Sequence, residues 1–184
     1  TPSTSLPGTT VLLEMSEPYN PLAGQDDYRC IPLTWSGSVP LYITGTHIMP
    51  GARSQIPQVI AYIASPQLGA KLAQADKVYP GGGYPCLGGP LPSDGSMTGE
   101  QAPAWLDVWH PGDAGKLFPP ATGVRIDPGS TVIAACVGLT HGIRCASHKI
   151  APLLVLVNHA AEEDIRNSVY VQEREPVYVA RSYT

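Results

Sequence analysis

Gly123-Val124-Arg125-Ile126-Asp127-Pro128-Gly129-Ser130-Thr131-Val132-Ile133-Ala134-Ala135-Cys136-Val137-Gly138-Leu139 decides the class of this chain. Two runs rich in β-branched and small apolar residues are split by a Pro-Gly pair, which neither a helix nor an unbroken strand accommodates. After His141-Gly142 a further apolar run covers residues 145–157, so 123–157 reads as a β-meander. Toward the N-terminus, residues 10–15, 29–35 and 41–47 read as strands; the last two, separated by Ser36-Gly37-Ser38, suit a hairpin or neighbouring strands. Residues 56–64 are apolar apart from Gln58 and Tyr62, the pattern of a strand buried on both faces. Pro57 lacks an amide donor and predicts a strand start, a bulge or an edge there.

The remaining elements are few. Residues 66–76 predict a short helix, with Pro66 in its first turn and Leu68 and Leu72 four apart on one face. Residues 79–120 form a long Pro/Gly-rich loop containing Gly81-Gly82-Gly83, Gly88-Gly89-Pro90, Trp105, Trp109 and Phe118; its aromatics and Cys86 predict a packed, ordered excursion. A single helical turn is expected at 162–167, and strands at 169–173 and 177–181 close the chain around Pro176. The sum is an all-β, antiparallel β-sandwich in one domain spanning 1–184.

Composition agrees. Among 184 residues, 20 Pro and 19 Gly with only 14% charged side chains exclude coiled coils and solvating disordered tails. The 43% apolar content is enough for a core without a structural metal. Eleven basic against 15 acidic residues, with no basic run to track a phosphate backbone, exclude nucleic acid as the expected partner. The longest apolar run, 150–157, contains Pro152 and falls far short of the roughly 18–20 residues of a membrane span. The chain begins at Thr1 without a basic and apolar leader, so a secretory signal is expected to have been removed already, unless the boundary is arbitrary. Cys30, Cys86, Cys136 and Cys145 are even in number and contain no Cys-x-x-Cys pair, which predicts two disulfides rather than a metal site. A secreted or cell-surface location follows from that expectation.

Catalytic spacing is weak. His47, His110, His141, His148 and His159 contain no adjacent, i,i+2 or i,i+4 pair, so a metal site would have to be assembled by the fold. No Gly-x-Ser-x-Gly elbow supports acyl transfer. Gly81-Gly82-Gly83 leads into Tyr84-Pro85 rather than a helix start, which removes the context of a phosphate loop.

An ordered series of longer motifs carries more. Ser16-Glu17-Pro18-Tyr19, Asp26-Asp27-Tyr28-Arg29-Cys30, Val59-Ile60-Ala61-Tyr62, Gly83-Tyr84-Pro85-Cys86 with Gly88-Gly89-Pro90, Trp109, and the run 118–139 stand in sequence. In that order and spacing they resemble the N-terminal domain of the copper type II, ascorbate-dependent monooxygenases, the family of peptidylglycine alpha-hydroxylating monooxygenase, over about residues 12–157. The resemblance implies an extracellular jelly roll and a Cys30–Cys86 disulfide. Cys136 and Cys145 are then left as a second pair across a hairpin. The resemblance also places a pair of copper-binding histidines at Pro57 and Gln58 and a third at Gly138, where this chain has no imidazole. Pro and Gly side chains offer no donor atom, and one amide does not replace three imidazoles. The family's second copper domain has no counterpart in these 184 residues.

Two functional expectations follow. The first is a non-catalytic extracellular module that binds a protein or glycan, or builds a surface or filament assembly through its terminal strands 10–15 and 169–181. In that case no cofactor is needed, and Trp105, Trp109 and Phe118 are candidates for an aromatic contact surface or for core packed under their own loop. The second is a divergent copper monooxygenase or copper-binding protein whose metal has moved to His47, His110, His141 or His148.

Overall fold

The computed structural model describes residues 9–15, 27–51, 53, 56–79, 82–87, 89–119, 122–138 and 154–160, the last stretch and the outer residues of its neighbours as backbone. Ten strands and one helix follow in chain order: β1 Thr9–Glu14, β2 Asp27–Thr34, β3 Leu41–Met49, β4 Gln58–Ala64, α1 Pro66–Asp76, β5 Tyr84–Pro85, β6 Ala104–Trp109, β7 Lys116–Leu117, β8 Val124–Ile126, β9 Thr131–Gly138 and β10 Leu154–Ala160. They make two five-stranded sheets. One runs β1-β10-β3, with β7 and β8 sharing the far edge of β3; the other runs β5-β2-β9-β4-β6. Every pairing is antiparallel. The described residues therefore form an all-β, antiparallel arrangement with one short helix, as the sequence pattern predicts.

The two sheets close on one apolar layer. Leu13, Ile43, Ile48, Val124 and Ile126 from the first sheet meet Ile31, Leu33, Val59, Ala61, Ile63, Leu106, Trp109, Val132 and Ala134 from the second. Each fully buried Ile, Leu or Val there contributes about 1.5–3 kcal/mol, so this layer supplies the main driving force for closing the sandwich. A second cluster covers the outer face of the second sheet, where Leu68 and Leu72 of α1 pack with Cys30, Tyr62, Tyr84, Cys86, Ile133 and Ala135. This explains why β4 carries apolar residues on both faces: it lies between β6 and β9 under a helix. Ser65 caps α1, its Oγ accepting from Leu68 N at 3.3 Å, and Pro66 opens the first turn where a missing amide costs nothing.

Three local expectations are corrected. The Pro128-Gly129 turn does not join a hairpin: β8 pairs β3 in one sheet while β9 lies between β2 and β4 in the other, so the turn is a crossing between layers. The segment Ser36-Gly37-Ser38 likewise carries the chain from β2 to β3 in opposite sheets. The long Pro/Gly-rich loop contains β6, a full edge strand paired to β4, with β5 and β7 as shorter pieces. Its irregular part is packed, as expected: Leu91 and Met97 lie against the outer cluster, Tyr79 Oη donates to Asp94 at 3.2 Å, and Lys71 pairs with Glu100. Pro57 stands immediately before β4, the strand-start reading. Residues 162–167 and the expected terminal strand 169–181 lie outside the described residues.

Candidate functional site

Strand register brings Pro57, Gln58 and Gly138 together. Gln58 opens β4 opposite Val137 of β9, so Pro57 and Gly138 flank that pair at the same end of the sheet. On the other side of β4, Val59 pairs with Trp109, which carries the next residue, His110, to the same end. Gln58 Nε2 lies 3.4 Å from His110 Nε2, and His110 Nδ1 lies 3.6 Å from Asp113 Oδ2. A proton on Nδ1, facing the carboxylate, leaves the Nε2 lone pair to accept from the Gln58 amide. The loop is fixed by two further bonds, His110 N to Asp113 Oδ2 at 2.7 Å and Asp113 N to His110 O at 2.9 Å.

This donor set does not fit copper. Pro57 and Gly138 contribute no side-chain ligand, and one imidazole beside a neutral amide falls short of the nitrogen or sulfur donors in fixed geometry that copper requires. Among the described residues no group of three His, Cys, Asp or Glu side chains is arranged to hold a metal. His47 is far from a ligand role: it is 7% exposed on β3, beneath Gly115, and burial followed by the nearby Arg53 charge holds its imidazole below the usual histidine range. His141 and His148 lie outside the described residues.

Cys30 and Cys86 form a disulfide between β2 and the end of β5, with Cα atoms 5.7 Å apart. Cys136 is a free thiol, half-buried on β9, and Cys145 lies outside the described residues, so the expected second pair is not among the bonds observed. Burial pushes the Cys136 thiol up to about 12, which makes it a poor nucleophile.

The aromatic trio separates. Trp109 is 2% exposed and belongs to the core between the sheets, and Phe118 is partly buried against that core. Only Trp105 presents a surface: it is 49% exposed on β6 and stacks edge-to-face on Tyr62, ring centroids 5.6 Å apart. Trp109 is therefore core, because the segment that carries it is a strand facing the opposite sheet.

A polar site that sequence reading missed lies inside the sandwich. Asp107 on β6 is 6% exposed, and its carboxylate accepts from Thr46 Oγ1 on β3, from Val108 N at 2.6 Å and from the Lys116 ammonium. Thr46 is fully buried, so this hydrogen bond crosses from one sheet to the other. A cavity of about 140 Å³ adjoins it, lined by Ile48, Asp107, Trp109, Asp113, Ala114 and Lys116 among others. A lone Asp in an otherwise apolar strand was the available signal, but its partner Thr46 stands 61 residues away.

No helix among the described residues is long and apolar enough to cross a membrane. No protein-family model matches the chain, and no curated protein matches it.

Proposed function

We propose that this chain is a non-catalytic module built on the N-terminal sandwich of a copper monooxygenase, serving as a binding or structural subunit of a secreted or cell-surface assembly. One observation carries the reading: Pro57, Gln58 and Gly138, picked out by resemblance from distant parts of the sequence, converge at one end of neighbouring strands. Their meeting across two paired strands supports the resemblance that picked them out. The jelly-roll connectivity belongs to the same reading. The Cys30–Cys86 disulfide supports an oxidising compartment.

Assembly through strand edges has support in the sheet order. Among the described residues β6 ends one sheet and β1 ends the other, and each carries a half-exposed large apolar residue, Trp105 and Leu12. Such edges pair readily with an extended segment of a protein partner or of a second copy. Trp105 also offers the flat face that a glycan ring stacks on.

The presence of His110 beside Gln58 favours the second reading, a relocated copper site. Loading the disulfide-intact protein with Cu(I) and Cu(II), desalting and measuring copper by elemental analysis separates the two. A ratio well below one copper per chain is the result expected of the non-catalytic module. A tight one-to-one complex that His110→Ala abolishes overturns it. Light scattering over a concentration series tests assembly, and monomers at every concentration would remove the filament part of the proposal.

A further inference from the structure

We propose that the segment from His110 to Leu117 is a strap that acid releases from the sandwich, opening the cavity beneath it. The strap is held at few points. Its end pairs with β3 through only two residues, Lys116 and Leu117 opposite Thr46 and Gly45, followed by Phe118 N to Thr44 O at 2.8 Å. Lys116, 51% exposed, reaches in to Asp107. Asp113, Ala114 and Lys116 on the strap form one wall of the cavity, while Ile48, Asp107 and Trp109 on the sheets form the other.

Between these anchors the strap lies directly on an imidazole. A Cβ on Gly115 would stand 2.9 Å from both Cβ and Cγ of His47 and 3.3 Å from its Nδ1, so only glycine permits this approach. Nδ1 is shut off from water and has no hydrogen-bond partner among the described residues. The titratable and charged side chains near His47 are Arg53 beyond β3 and, on the strap, His110, Asp113 and Lys116, of which His110 faces Asp113 and Lys116 reaches Asp107 on β6; on β10 the register partner is Leu156. Of these, Arg53 acts directly and disfavours a second positive charge.

Protonation therefore puts a charge and an unsatisfied N–H into a site that the strap seals. The closed strap favours neutral His47, whose proton affinity it lowers, whereas the released strap lets water solvate the imidazolium. Closure is complete above the ordinary imidazole range and is lost as pH falls below it. The proposal is independent of whether the module binds copper or assembles.

Hydrogen exchange of the full chain, read by mass spectrometry at about pH 7.5 and about pH 5.5, tests this above the ordinary carboxylate range. After correction for intrinsic exchange chemistry, peptides spanning 110–118 should exchange about tenfold faster at the lower pH, with β9 peptides unchanged. In His47→Gln the strap should exchange equally at both pH values. Equal protection of the wild-type strap at both pH values overturns the proposal, as does a pH dependence that survives in His47→Gln. Should that variant fail to fold, the imidazole titration of His47 followed by NMR must share its midpoint with strap exchange in the wild type, and separate midpoints overturn the proposal.

Discussion

Thr46 on one sheet donates its hydroxyl hydrogen bond to Asp107 on the other, at the margin of the apolar layer between the two sheets. A carboxylate buried in such a layer is tolerated only when its oxygens are filled, and here Thr46, Val108 N and Lys116 fill them. Removing the acceptor leaves the hydroxyl and the backbone amide buried without it. Asp107→Ala should therefore lower unfolding free energy by about 2–4 kcal/mol, and Thr46→Val by about 1–2 kcal/mol. In urea denaturation the double variant should fall short of the sum, because the two share one bond. Additive losses would mean the cross-sheet bond contributes nothing of its own.

The Cys30–Cys86 bridge closes 56 residues, a span that includes β3, β4 and α1. Loop-closure entropy for that length corresponds to about 4 kcal/mol at room temperature. Urea unfolding of a Cys30→Ala, Cys86→Ala double variant should show a loss of that order, with part of it arising from the two buried sulfur positions left vacant. A loss under about 1 kcal/mol would place the bridge in a region already ordered in the unfolded chain.

What the sequence disclosed depended on range. The helix at 66–76 was legible because its cap, its opening proline and its Leu68–Leu72 face all lie within a dozen residues. The strand 56–64 was legible as doubly buried because both of its faces are apolar. Sheet membership was not: a Pro-Gly turn looks the same whether the strands it joins pair or part, and only the partners of β8 and β9 decide between those outcomes. Strand β6 was hidden by the prolines on either side of it, although Asp107 and Trp109 keep the period-two spacing of a strand, and the bulge opposite Ala61 and Tyr62 brings Leu106 into the core beside them. Pro57, Gln58 and Gly138 were singled out through a resemblance, but the register that sets His110 beside Gln58 was not written in any spacing of histidines.

Gly69 places α1 against β9. A Cβ there would meet Thr131 Cβ at 3.0 Å and press still closer on its Oγ1, and Thr131 is itself buried. Alanine ordinarily favours a helix interior over glycine by up to about 1 kcal/mol. Here the overlap outweighs that gain, so Gly69→Ala should destabilise by about 1–3 kcal/mol. Gly69→Ala combined with Thr131→Ala, which removes the Oγ1 that the new Cβ would press on, should lose less in thermal melts than the two single variants lose together. An unchanged or raised midpoint for Gly69→Ala would show that the helix lifts away at little cost.

Cys136 tests the burial of the central strand. With its thiol pushed up to about 12 by desolvation, it carries almost no thiolate at pH 8. Iodoacetamide labelling followed by peptide mapping should modify Cys136 about a hundredfold more slowly in the native protein than in urea. Rapid native labelling would mean that β9 is open to solvent at that end.

Asp76 ends α1 with its carboxyl partly buried, and its Oδ1 has no hydrogen-bond partner among the described residues. Burial raises its proton affinity more than the Gly83 amide and the Arg29 charge lower it. The last turn of a helix, where the backbone carbonyls gather, is also the less favourable end for an anion. A carboxyl whose affinity is raised in the folded state supports folding below the ordinary carboxylate range and loses that support as pH rises through the raised value. Asp76→Asn removes the charge while keeping the shape, so it should raise the melting midpoint at pH 7 and lose most of that advantage by about pH 3, where the native carboxyl is also neutral. A lower midpoint for Asp76→Asn at pH 7 would instead show that the attraction to Arg29 and the Gly83 amide outweighs desolvation, and that this anion holds the C-terminal end of α1 to the loop before β5.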